Sequence, residues 1–171
     1  MKVLSYNLFA PLLGNIKNWY SHIDRIKKIG FEWVYINPIT YPGFSGSLYA
    51  TKDYYKYNPA FFTSSEKDIA EKEIKDFVLY CKNNNIKIMI DLVINHSSKD
   101  CNLVEEHFEW YKLKDGKLES PGAWDNGKWI EWGDLASFNN QKIILNKDNE
   151  EIENPIWNYW NELIKHNLEL G

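Results

Sequence analysis

Three short apolar runs interrupt a chain otherwise rich in charged and amide side chains: Lys2 to Phe9, Trp33 to Ile36 and Ile86 to Ile94. Their length and their β-branched and aromatic content predict strands. The third run is nearly continuous, as expected of a strand covered on both faces. Between and after these runs the apolar positions recur at helical spacing. Ile16, Trp19, Ile23, Ile26 and Ile29 form one face, with Gly30 as a stop. Ser64 and Ser65 are good N-caps for a second helix that lines up Ala70, Ile74, Phe77, Val78 and Cys81 and fades into Asn83-Asn84-Asn85. A third helix opens on Asn154-Pro155, cap then first-turn proline, and places Ile156, Trp160, Leu163 and Ile164 on one side.

Strands alternating with helices imply an α/β fold with a parallel sheet and right-handed crossovers. In such sheets ligands bind beyond the C-terminal ends of the strands. Two connections leaving those ends, Asn37 to Thr63 and Ser97 to Glu153, are too long for simple turns. Long loops in a compact fold are usually functional.

Composition narrows the chemistry. The formal charge of −4, with lysines scattered among glutamates, offers no clustered basic surface for nucleic acid. No run approaches the ~20 apolar residues of a membrane span, and the polar start, Met1 to Asn7, is no signal-peptide core, so no membrane partner and a cytoplasmic location are expected. Two cysteines cannot build a disulfide framework; Cys81, on an apolar helix face, is expected in the core. Aromatic residues reach 16%, with eight Trp and eleven Tyr. Their flat apolar faces and polar edges suit cores, interfaces or sugar rings. Trp124, Trp129 and Trp132 are read as a small core within the second long connection, the alternative being a sugar platform.

The strongest chemical signal is Asp91-Leu92-Val93-Ile94-Asn95-His96, closing the third strand run. Alternation points Asp91, Val93 and Asn95 to one side, with His96 following as the chain leaves the sheet. An aspartate in an apolar strand is costly unless paired or hydrogen-bonded. From the residues alone, a buried aspartate satisfied by its neighbours and a loop histidine explain the segment as well as a functional site does.

This segment resembles the Asp-x-x-x-Asn-His motif that ends the third barrel strand in the α-amylase family of glycoside hydrolases. Tyr49-Ala50-Thr51-Lys52-Asp53-Tyr54 is similar to that family's Tyr-x-x-x-Asp-Tyr segment. Trp132-Gly133-Asp134-Leu135 and Phe138-Asn139 look like the end of its excursion, domain B, and the helix from Pro155 like the one feeding strand four. The resemblance implies a partial (β/α)-barrel in which 1–96 hold the first three βα units, 97–153 the excursion and 154–171 the helix towards a fourth strand. It implies that His96 hydrogen-bonds the sugar and Tyr49 stacks on it, that Asp91, Asp53 and Tyr54 support the site, and that Asn95 can ligate a structural calcium ion. Tyr49 packing under its loop is the alternative for that residue. Many members carry an aspartate three residues before the stacking Tyr; Gly46 stands there, which argues against a strict exo-glucosidase.

The resemblance implies a retaining α-glucan enzyme, hydrolase or transglycosylase, acting on maltooligosaccharides with no required cofactor. Retaining hydrolysis uses two carboxyl groups about 5–5.5 Å apart. The family's nucleophile and acid/base would lie beyond Gly171, so this chain alone is expected to be inactive, with a remaining barrel half or self-association through open sheet edges as partner. A non-catalytic carbohydrate-binding protein and one half of a split enzyme are the other readings. No zinc spacing, phosphate loop or nucleophile elbow is present in the sequence.

Overall fold

The computed structural model describes residues 4–64, 66–146 and 148–171. In chain order the elements are β1 (Ser5–Leu8), α1 (Ala10–Leu13), α2 (Tyr20–Ile29), β2 (Trp33–Ile36), β3 (Thr40–Pro42), β4 (Thr51–Tyr57), α3 (Lys67–Asn83) and β5 (Lys87–Ile90). There follow β6 (His96–Ser98), α4 (Asn102–Glu106), β7 (Leu113–Lys114), β8 (Lys117–Leu118), β9 (Gly122–Asp125) and β10 (Lys128–Glu131). Last come β11 (Leu135–Ser137), β12 (Ile143–Leu145), β13 (Glu151–Glu153) and α5 (Ile156–Glu169). They group into two compact units. One comprises Met1–Tyr41, Tyr54–Leu92 and Asn167–Gly171; the other comprises Pro42–Asp53 and Val93–His166.

The first unit is built on the parallel sheet β1-β2-β5, with Val34 opposite both Tyr6 and Ile88. Helical crossovers between sequential strands make it the α/β sheet that the apolar spacing predicts. Trp19, Ile23 and Ile26 are buried, as are Ala70, Ile74, Phe77 and Cys81 of α3, which packs on β5 and α2. The Trp19 ring meets Phe61, Phe62 and Phe77, and its Nε1–H donates to the Gly14 carbonyl at 2.9 Å. Burial pushes the Cys81 thiol up to about 12, so it sits in the core as an unreactive apolar group. Gly30 ends α2 in the left-handed region at φ 99°, and its N–H reaches the Ile26 carbonyl. Asn85, at φ 58°, turns the chain after α3 while the Ile86 N–H returns to the Cys81 carbonyl.

Several expectations need correction. The helix from Ile16 is a 3-10 turn, Ile16–Asn18, followed by α2, and Ile29 is exposed. Ile164 of α5 is likewise exposed. The start of α3 is capped at Glu66, whose N–H is taken by Ser64 Oγ; Ser65 and the beginning of the first strand run lie outside the described residues. The third strand stops at Ile90. The Asp91 N–H still bonds the Ile36 carbonyl, but the Ile94 and Asn95 carbonyls accept from Asn140 Nδ2 and the Phe138 N–H. Backbone groups beyond Asp91 thus leave the ladder for other partners, and strand alternation no longer governs Val93 and Asn95. Lys87 and Met89 are exposed among the described residues, so β5 is not covered on both faces.

The second unit packs Trp110, Tyr111, Leu135, Ala136, Phe138, Ile156, Trp160 and Leu163. The Phe138 ring lies 4.5 Å from Tyr111 and 5.1 Å from Trp160. Trp124, Trp129 and Trp132 are all exposed and make no such core. Trp124 and Trp129 face each other across the two-stranded ribbon β9–β10, their rings edge to face at 5.8 Å. Each strand of a two-stranded ribbon has one neighbour, and the Trp129 ring also lies against Gly122, where a Cβ would collide with it.

Candidate functional site

The second unit contains a cleft of about 410 Å³ lined by Ser47, Tyr49, His96, Trp132, Asp134 and Leu135. Its two halves come from sequence segments far apart. Tyr49 rides on a tight loop in which the Gly46 N–H bonds the Gly43 carbonyl and the Ala50 N–H bonds the Ser47 carbonyl. Gly46 adopts φ 72°, a left-handed conformation that suits glycine. Gly43 has no room for a side chain, because a Cβ there would collide with Ser98 and Asp100. The other half is the antiparallel pair β6–β11, in which His96 sits opposite Ser137 and Ser98 opposite Leu135.

The halves are joined at His96. Its Nε2–H donates to the Tyr49 carbonyl at 3.1 Å, since a carbonyl can only accept. The imidazole is buried, which lowers its pKa; the Tyr49 hydrogen bond and the Asp134 charge push the other way but do not win. His96 is therefore a neutral ring at pH 7. Tyr49, by contrast, leaves its phenol side chain partly exposed at the cleft. A further polar brace ties the loop to the strand that follows. Lys52 Nζ lies 3.0 Å from Asp100 Oδ2, and Asp100 also accepts from Ser98 and from the Phe44 N–H. Partial burial alone would raise the Asp100 pKa, yet the hydrogen bonds from Ser98, Lys52 and Phe44 hold it below the usual carboxylate range.

The remaining expected site residues are more dispersed. Asp53 accepts from Asn102 Nδ2 at 3.0 Å, and Tyr54 is buried. In the first unit, Asp91 accepts a short hydrogen bond from the Tyr35 hydroxyl. Tyr35 was not anticipated from sequence. The parallel register that pairs Tyr35 with Met89 puts Asp91 two residues further along the same face, but that register exists only in the folded sheet. Asn95 is exposed, with its carbonyl committed to Phe138. Among the described residues no three His, Cys, Asp or Glu side chains are grouped as metal holders. Ser47 and Asp134 are cleft residues that sequence reasoning did not assign to a site, Asp134 being noted only within the end of an excursion; Trp132, read from sequence as part of a small core with a sugar platform as the alternative, lies in the cleft wall.

What this arrangement can do is hold a flat, hydroxyl-rich ligand. An exposed phenol and an indole offer apolar faces, while Ser47, Asp134 and neighbouring backbone offer hydrogen bonds. No pair of carboxylates lines the cleft.

A crossover-linked parallel sheet places the protein in the α/β class. The chain belongs to the α-amylase family: the family described as glycogen debranching enzyme, glucanotransferase domain, matches it over residues 3–114. It is 25% identical to the oligo-1,6-glucosidase of Bacillus cereus over 93% of this chain and 30% of that protein. It is 33% identical to the maltogenic α-amylase of Bacillus acidopullulyticus over 49% of this chain and 13% of that protein. Among solved structures, an α-amylase from Lactobacillus plantarum superposes with a TM-score of 0.64 and 26% identity, covering 80% of this chain and 31% of the other. A maltogenic α-amylase from Thermotoga neapolitana gives a TM-score of 0.71 at 21% identity over 98% of this chain and 36% of the other, a likeness of fold. The chain therefore spans less than a third of the length of these curated relatives. Among the described residues no helix is long and apolar enough to cross a membrane.

Proposed function

We propose that this chain forms the sugar-holding part of a retaining α-glucan enzyme, a glycosidase or a glycosyl-transferring enzyme. The observation that carries the reading is the cleft in which His96 fixes the backbone of Tyr49 while Tyr49, partly exposed, lines the wall beside Trp132. Tyr49 stacks on a glucosyl ring. His96 holds that platform in place and, by exchanging its bond to the Tyr49 carbonyl, donates to a sugar hydroxyl. Asp91, held by Tyr35, and Asp53, held by Asn102, support the elements from which the site is built.

The nucleophile and the acid/base that retaining cleavage requires are not among the cleft residues, and we assign them to positions outside these 171 residues. The sheet β1-β2-β5 is then the beginning of a (β/α)-barrel, and the segment after β5 its domain B-like excursion. The exposed face carrying Lys87 and Met89 supports further strands closing over it, contributed by more of the same polypeptide or by a partner half. Two buried free cysteines suit a reducing, cytoplasmic setting.

The test is product analysis with maltoheptaose. The protein carrying the remaining strands should cleave or disproportionate it with retention at the anomeric carbon, and these 171 residues alone should give no products. Sustained cleavage by the isolated 171 residues would sink the assignment of the carboxylates elsewhere.

A further inference from the structure

A second cleft in the same compact unit, of about 420 Å³, shares no residue with the first. It is lined by Lys142, Glu153, Asn154, Trp157, Asn158 and Asn161. The helix α5 explains its make-up. Ile156, Trp160 and Leu163 bury one face, so Trp157, Asn158 and Asn161, at spacings of one and four, project from another. Trp157 is 40% exposed while Trp160, one turn on, is 1% exposed. The helix thus keeps one indole for the core and presents another at a concave surface.

The opposite wall is built by backbone pairing within this unit. β12 and β13 pair antiparallel, with Ile143 opposite Glu153, and the Asn154 N–H bonds the Lys142 carbonyl at 2.9 Å. Asn154 then does three things with one side chain. Its Nδ2 donates to the Asn139 and Gln141 carbonyls at 2.7 and 2.9 Å, and its Oδ1 accepts from the Ile156 N–H at 3.2 Å. The hairpin end and the start of α5 are thereby locked at the floor of the cleft. Its rim carries one cation, one carboxylate and two primary amides, and no hydrogen bond or ion pair engages the side chains of Lys142, Glu153, Asn158 or Asn161 among the described residues.

An open indole face ringed by uncommitted amides and one charge of each sign matches a neutral polyol with one apolar face. It does not match an anion, because Lys142 is offset by Glu153, nor a wholly apolar ligand, because Trp157 is the one apolar side chain among the five polar ones that line it. We infer that this cleft is a second α-glucan-binding site, which stacks a glucosyl ring on Trp157 and hydrogen-bonds its hydroxyls through Asn158, Asn161, Lys142 and Glu153. This rests on the α-glucan reading of the protein given above. The pre-formed wall limits the ordering that binding requires. Such a site tethers a long chain without cutting it, raising the local concentration of chain near the first cleft.

The test is ¹⁹F spectroscopy of fluorotryptophan-labelled protein titrated with maltoheptaose, with Trp157 and Trp132 assigned from Trp157→Phe and Trp132→Phe. The Trp157 signal should shift saturably, and should do so equally in Tyr49→Ala, where the first cleft loses its platform. Asn161→Ala, an exposed change, should weaken the Trp157 titration about tenfold and leave that of Trp132 alone. A Trp157 signal that stays still while Trp132 responds overturns the second site and leaves the α-glucan reading standing. Stillness of both signals overturns both. An equal Trp157 shift with a β-linked glucan of the same length also overturns the assignment, because the cleft would then not select α-glucans.

Discussion

Two side chains, Tyr49 and His96, carry different parts of the same contact. Tyr49 offers its ring to the cleft, while His96 holds Tyr49 through the main chain. Truncating each should therefore fail differently. Tyr49→Ala removes the platform and should weaken maltooligosaccharide binding about tenfold, whereas Tyr49→Phe, which keeps the ring, should stay within about twofold, as read by calorimetric titration. His96→Gln should loosen the loop and show its clearest effect on stability against pH. The folded-state pKa of His96 lies below the ordinary value of 6.5, first because of burial. Between 6.5 and that lower value the unfolded chain binds a proton that the folded chain does not. The stabilising contribution is complete above about pH 6.5 and is lost as the pH falls through this window. The urea midpoint should accordingly drop between about pH 7.5 and pH 5, and His96→Gln should flatten that part of the profile. An unchanged slope in the variant would remove His96 from the account.

At the scale of elements, stability concentrates where helices hand over to loops and where rings interlock. Trp19 bridges α2, α3 and the segment around Phe61. Trp19→Ala should cost about 3–5 kcal/mol in equilibrium unfolding, since the cavity cannot be refilled by its rigid neighbours. Asn154 satisfies two carbonyls and one helix N–H, so Asn154→Ala should cost roughly 1–3 kcal/mol. It should also broaden the Trp157 resonance, because the hairpin end and helix start lose their common anchor. Helix α5 was legible in sequence down to its cap, as Asn-Pro followed by apolar residues at spacings of four and three names its own start. The end of β5 was not. A run of β-branched residues says nothing about which partner takes the next carbonyl, and Asn140 and Phe138 take those of Ile94 and Asn95.

For the whole molecule, the parallel sheet with an exposed face is the central fact. If further strands cover it, Lys87 and Met89 should be protected in the complete assembly and reactive in the isolated 171 residues. Lysine acylation and methionine oxidation, read by mass spectrometry with and without the remaining strands, distinguish the two states. Equal labelling of Met89 in both would argue that this face is not the inside of a barrel.

Local spacing determined the α/β order, the rough place of the three longer helices and the buried Cys81, because each is written in residues a few positions apart; Tyr49 and His96 were singled out by the resemblance to family motifs, not by spacing. Tertiary structure decided what those residues touch. The tryptophans show the difference most directly. Trp110, Trp124, Trp129 and Trp132 are indistinguishable as large amphipathic residues within one long connection. Only folding sends Trp110 into the core, leaves Trp124 and Trp129 on a two-stranded ribbon and turns Trp132 into the wall of a cleft with Tyr49 and His96. Burial depends on which distant segments arrive at the same place, and a sequence read through local periodicity carries no record of that arrival.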